Sequence, residues 1–370
     1  MSIERQIIFW GLLLAALGYA LHLLAPTVAP FAAGIALGYL LDPLVGKLER
    51  LGLNRLGAAL VMLVVFASAF ALVLVVVAPI LSNQLVAFAG KFPGYVVRLQ
   101  TLAVEEGAAL TEKYFGNWIN TLGLSQQFST ADIQKSIGDF VGRGAQWIVN
   151  ALRSLVSGGA AVFSFLSLMI ITPVVAFYIL VDWDRMIAEI DGWLPLDHRA
   201  SLRKIAREID QALAGFVRGQ SLVCLFLGLW YGVGLTLVGL DFGFLIGAIG
   251  GLLSFIPYIG SLIALVLSVA VALVQGWPHL RLLFLALAVI VPGQFLEGYV
   301  VSPKLVGESV GLHPLWLMFA LLAFGQLFGF VGLVIAVPAA AAIGVVVRHL
   351  IGIYLASPFY LGRSGVKGGP

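Results

Sequence analysis

Residues 252–267 read LLSFIPYIGSLIALVL. The stretch is almost wholly apolar, yet Pro257, Tyr258 and Gly260 interrupt its middle. A proline inside a helix removes one backbone hydrogen bond and clashes with the preceding turn, at a cost of about 3 kcal/mol. In hydrocarbon, each freed polar group costs several kcal/mol more unless protein or trapped water satisfies it. Counted outward from the break at 257–260, residues 242–256 and 261–275 make two apolar arms of 15 residues each. Each arm would be ~22 Å long, short of the ~30 Å hydrocarbon core of a bilayer. The spacing predicts a re-entrant helical hairpin that dips into the membrane and returns to the face it left; an ordinary kinked pair of thin spans, with the same loop sidedness, is the alternative.

The pattern recurs. FGFVG, residues 328–332, separates two further 15-residue arms, 313–327 and 333–347. A long apolar segment precedes each candidate hairpin, 216–239 before the first and 282–301 before the second. Alternation across the membrane then makes the first hairpin open outward and the second inward. This is an inverted repeat of span plus hairpin, a construction that recurs in transporters where broken helices meet near the midplane. Helix ends at such breaks expose N–H and C=O groups that suit a polar solute or ion.

Composition sets the class. The chain has 370 residues, 61% hydrophobic and 11% charged, with a mean hydropathy of +1.05. Soluble domains carry about 25% charged residues, so this chain has too little polar surface to cover itself in water. The expected fold is an all-α polytopic membrane protein with about eight hydrophobic segments. The lone Cys224 excludes an intrachain disulfide or a cysteine-based zinc site. No long basic run points to nucleic acid, and no metal site or bound cofactor is expected.

Residues 1–79 hold spans at 7–24, 27–42 and 57–79. The first reads as an uncleaved span, too long for a signal-peptide core and without a small-x-small cleavage site. Residues 80–154 carry nearly balanced charge, with apolar residues at helical spacing (Leu81, Leu85, Phe88, Phe92), and read as an extracytoplasmic helical subdomain. A span at 155–181 leads into a cytoplasmic amphipathic segment, 182–215, with Leu202, Ile205, Ile209, Ala212 and Phe216 on one stripe. The transport core is placed at 216–352 and a cytoplasmic tail at 353–370. Lys47, Arg50 and Arg55, the cluster Arg199–Arg207 and the basic tail fall on one side. The positive-inside rule makes that side cytoplasmic, with both termini inside.

Polar residues within the apolar region are few. Intramembrane ionisable groups are costly and mark ion or solute pathways. Gln220 lies one turn into the span that begins near Gly215, beside Arg218. Gln294 and Glu297 are three apart, a spacing that shares a helical face. His313 and Pro314 open the second hairpin, whose break carries Gly329 and Gly332. Glu297 is the candidate proton or cation carrier, and a place near the cytoplasmic end, paired with Lys304 or solvated, is the bland alternative. Gly228 and Gly232, Gly243, Gly247 and Gly251, and Gly325 and Gly329 are spaced by four, a pattern that lets helices pack closely. There is no HExxH, P-loop or dinucleotide fingerprint. GRSG at 362–365, with Ser364, sits in a polar tail and reads as chance.

Five pieces taken together resemble the autoinducer-2 exporter-like family of bacterial inner-membrane permeases. They are PVVAFYILVDWDR (173–185), FVRGQ (216–220), SFIPYIG (254–260), EGYVVSPKLVGESVGLHPLW (297–316) and FGFVGLVIAVPAAA (328–341). The resemblance covers roughly the C-terminal half. It implies a secondary transporter, a homo-oligomer in the bacterial inner membrane. Some members are assigned to export of the autoinducer-2 signal and others to sodium/proton or lithium/proton antiport. It also carries site candidacy to Pro257, Tyr258, Gly260, His313, Pro314, Gly329 and Gly332. The expected function is export of a small polar solute by alternating access, coupled to a proton or sodium gradient. A monovalent cation/proton antiporter and a non-transporting scaffold are the alternatives.

Overall fold

The computed structural model describes residues 25–102, 139, 142–143, 146, 159–306 and 311–361. The expected span at 7–24, most of the subdomain at 80–154 and the GRSG tail lie outside the described residues. Within them every regular element is helical: α1 (Ala25–Arg50), α2 (Arg55–Thr101), α3 (Gly159–Gly192), α4 (Arg199–Leu237), α5 (Gly243–Leu253), α6 (Ile259–Gly276) and α7 (Arg281–Leu296). A π-helical turn (Glu297–Val301), then α8 (Ser302–Leu305), α9 (Pro314–Leu355) and α10 (Pro358–Leu361) follow. Seven of the described helices are long and apolar enough to cross a membrane, and α5 is a shorter apolar helix. The molecule is an all-α polytopic membrane protein. The most apolar window of α2 is wholly unburied, as expected where lipid tails, not water, solvate the surface.

Helix ends and span ends do not coincide. Helix α2 runs 47 residues without interruption through the expected boundary at 79/80, a length of ~70 Å. Helix α3 continues past Val181 to Gly192. Helix α4 joins the amphipathic stripe and the following span in one 39-residue helix. Its stripe residues Ala212 and Phe216 are buried, while Arg203, Lys204 and Arg207 are exposed. Arg199 and Arg203 both pair with Asp191 near the end of α3, so this face is used within the chain.

The described residues fall into two compact units. One draws on 25–69, 166–223 and the described residues from 297 to 361, the other on the described residues from 70 to 165 and on 224–296. In the first, α1, the start of α2 and α3 bury Leu37, Leu41, Val45, Ala58, Ala59, Ala176 and Leu180. Gly38 permits this approach, since a Cβ there would lie 2.6 Å from Ile179 Cγ2. In the second unit, the glycine stripes of α4 and α5 face each other. A Cβ on Gly251 would strike the backbone of Gly228, and one on Gly247 the backbone of Gly232. The partners step in opposite directions, so the helices are antiparallel and touch backbone to backbone. The far end of α2 grips the same unit: Lys91 Nζ and Tyr95 Oη donate to Asp241 Oδ2 at 2.9 and 3.0 Å, and Leu245 N donates to Gln84 Oε1 at 2.8 Å.

Candidate functional site

Both expected breaks are present, each in a different unit. The first differs in position from the sequence expectation. Helix α5 ends at Leu253 and α6 begins at Ile259, so the turn is 254–258 and Gly260 already lies within α6. Pro257 has no N–H to offer and restricts the residue before it, so the helix closes early. Phe255 N and Ile256 N turn back to Leu252 and Leu253 carbonyls at 3.3 and 3.0 Å, the tighter i→i+3 pattern. Tyr258 then takes φ +69°, the left-handed region, and stands exposed. The arms are unequal, 11 and 18 residues, rather than 15 each. They pack antiparallel: a Cβ on Gly250 would lie 2.7 Å from Ala264 Cβ, and one on Gly260 would strike Ser254 N and the Gly250 carbonyl.

The second break is a single residue. Helix α9 is helical throughout except at Gly329, with φ 60° and ψ −139°. A Cβ on Gly332 would run into the Phe324 carbonyl, and one on Gly325 would lie 2.8 Å from Leu333 Cδ2. Residues eight apart in an unbroken helix are ~12 Å apart, so the chain folds back at Gly329. The base closes in the same sense, with Arg348 Nη1 donating to Gly311 O at 3.0 Å and Gly344 against Leu312. The arms here are 314–328 and 330–355, the second longer than expected. Within the Gly325–Gly329 pair, Gly325 lets the two arms pack closely, while Gly329, with open space around it, serves the reversal. Gly260 and Gly332 hold equivalent places, each just past a tip and facing the opposite arm.

The remaining candidates scatter. His313 is the N-cap of α9, its Nδ1 accepting from Leu315 N at 3.3 Å, with Pro314 in the first turn. Both are exposed. A 15-residue arm, ~22 Å long, separates them from Gly329. Gln220 is buried in α4, and its neighbour Gly219 lies against the Leu305 carbonyl and Val306. Gln294 is half-buried in α7, where Gly293 packs on Tyr231 and Trp230. Glu297, half-buried, opens the π-helical turn, and among the described residues no ion pair joins it to Lys304. Such turns inside helices occur often at functional sites.

One site was not foreseen. Helices α1, α3 and α4 line a half-open cavity of about 320 Å³ within the first unit. Tyr39 and Asp42 from α1, Trp183 from α3, and Asp210 and Arg218 from α4 line its polar part. Tyr39 Oη donates to Asp210 Oδ1 at 2.9 Å, and Arg218 Nε donates to the Tyr39 carbonyl at 2.8 Å. Arg55 joins the group from one side, binding Asp42 and Glu49 at 3.0 Å each and the Leu180 carbonyl at 2.6 Å. The available signal was slight: Asp210 sits one position beyond Ile209, at the margin of the apolar stripe.

Comparison with known proteins gives a consistent picture. The AI-2E family transporter model matches residues 10–352. The chain is 27% identical over 322 residues to the "Putative transport protein YrrI" of Bacillus subtilis, covering 87% of this chain and 86% of that one. It is 29% identical over 313 residues to the "Putative transport protein YueF" of the same organism, 84% and 80% covered. The "Putative permease PerM" of Escherichia coli K12 is 27% identical over 321 residues, 87% and 86% covered.

Proposed function

The chain belongs to the AI-2E family of transporters, and from that premise we propose that it is a secondary transporter of the bacterial inner membrane. It exports a small polar solute by alternating access, coupled to an ion gradient. The observation that carries this reading is the pair of helix–break–helix hairpins, each preceded by an apolar helix. The short arms, 11 residues in α5 and 15 in the first part of α9, are ~16 and ~22 Å long, less than the ~30 Å core. They favour hairpins that enter partway and end beside water, where the exposed Tyr258 ring and the main-chain groups at Gly329 can meet a polar solute. Basic loops favour cytoplasmic termini, and the unburied apolar faces suit a homo-oligomer.

Transport by purified protein in liposomes, with a solute panel and imposed proton and sodium gradients, tests the proposal. Tyr258→Ala and Gly329→Ala should lower the rate at least about tenfold while size-exclusion profiles stay unchanged. Full rates in both variants would remove the tips from the pathway. Cation/proton antiport is the second reading, favoured by Glu297 standing in a span with no ion-pair partner among the described residues. Glu297→Gln should then abolish sodium-dependent proton movement in everted vesicles. Exchange that persists at all pH values removes Glu297 as the coupling residue.

A further inference from the structure

The cavity between α1, α3 and α4 has a charge pattern that selects a ligand class. Asp42 is already engaged, by Arg55 at 3.0 Å and more distantly by Arg218 at 3.9 Å. Asp210 differs. Its Oδ1 accepts from Tyr39 Oη, and among the described residues no cation pairs with it. Arg218 lines the same pocket but turns its Nε to the Tyr39 carbonyl, so the Asp210 carboxylate, with no ion pair of its own among the described residues, is open to a positive group. The Tyr39 and Trp183 rings meet edge to face at 6.1 Å nearby, and aromatic surfaces favour an ammonium. Gly38, Ile179, Leu180, Ala214 and Gly215 add apolar wall, and Gln211 adds a neutral carboxamide.

We propose that this cavity binds a small amphiphilic molecule bearing a primary ammonium group, with Asp210 as its counter-charge and Tyr39 as the residue that holds Asp210 in place. A bare metal ion needs several oxygens closing on one point, and of the residues lining the cavity only Asp210 offers a charged acceptor not held by a guanidinium. An anion would meet two carboxylates and an Arg218 already bound to Tyr39 O. The volume, about 320 Å³, falls at the lower end of small-molecule pockets, which run from about 300 Å³. The inference deepens the transporter reading by naming a substrate class, and it rests on that reading for its role as a loading site. The ammonium could belong to a free amine or to the headgroup of phosphatidylethanolamine, since Asp210 recognises the same chemistry in both.

The experiment is calorimetric titration of the purified full chain in phosphatidylglycerol nanodiscs. The probes are tyramine, its neutral counterpart tyrosol and its anionic counterpart hydroxyphenylacetate. Tyramine should bind at least about tenfold more tightly than either. Asp210→Asn keeps an acceptor for Tyr39 Oη and should weaken tyramine by about 10- to 100-fold. Glu208→Gln makes the same charge change outside the cavity and should stay within about twofold. Suppression of tyramine binding by added phosphatidylethanolamine assigns the ammonium to the lipid; no suppression assigns it to a free amine. No binding of tyramine, equal binding of tyrosol, or an unaffected Asp210→Asn variant would each overturn the proposal. Transport in liposomes is read separately. Tyramine flux unaltered in Asp210→Asn sinks the site alone, whereas Asp210-dependent binding with no solute flux sinks the transporter reading alone.

Discussion

Tyr258 and Gly329 reverse the chain by different means. Gly329 takes φ 60° and ψ −139°, a region that excludes side chains, so Gly329→Ala should cost about 1–3 kcal/mol of strain. Tyr258 accepts a left-handed conformation at φ +69° that costs a non-glycine residue about 1–2 kcal/mol. Tyr258→Gly removes that strain but adds about 0.5–1 kcal/mol of chain entropy. Thermal unfolding should therefore change little, and a fall in transport would come from the lost ring. A stability loss as large as that of a buried tyrosine would show instead that the ring is packing. His313 caps α9 through Nδ1. His313→Asn should keep the cap and most of the stability, whereas His313→Ala should lose about 0.5–2 kcal/mol. Transport that disappears in a well-folded His313→Asn variant would make the imidazole a carrier.

At the scale of elements, the glycine stripes are the most legible feature. Four-residue spacing in two neighbouring segments predicts close packing, and Gly228, Gly232, Gly247 and Gly251 meet in antiparallel register. Gly247→Leu should push α5 off α4. Such overpacking costs typically about 1–3 kcal/mol, more where backbone is the obstacle. It should lower the melting temperature in detergent more than Gly90→Leu, at a site in α2 with open space around it. The hairpin breaks are also legible, because proline and glycine act locally. Their exact bounds are not: the helix before Pro257 ends three residues early as the last carbonyls find i→i+3 partners. The lengths of α2 and α4 are obscured because polarity, read as a span boundary, does not end a helix. The cavity is least legible. Tyr39, Trp183, Asp210 and Arg218 come from three helices up to 179 positions apart, and each taken alone looks like an ordinary interfacial residue.

At the scale of the whole molecule, geometry limits how far each hairpin penetrates. A hairpin can be no deeper than its short arm permits, unless the turn itself crosses the remaining apolar layer with unpaired main-chain groups. With 11 residues in α5, about half of the ~30 Å core is reached by helix. A half-depth hairpin and two thin spans leave the connecting loops on the same sides, so loop charge is identical in both. The tips separate them. Cys224 is the sole cysteine, so a Cys224→Ala chain is a clean background for single cysteines at Tyr258 and Phe330, which are 57% and 63% exposed. In right-side-out vesicles, a membrane-impermeant maleimide added outside should label Tyr258→Cys faster than Phe330→Cys. In inverted vesicles the pattern should reverse. This opposite bias follows if the first hairpin opens outward and the second inward, because each tip is then reached most directly through its own mouth. Labelling of Tyr258→Cys solely from the cytoplasmic face would mean that α5 and α6 cross completely, and the inverted repeat would fall with it.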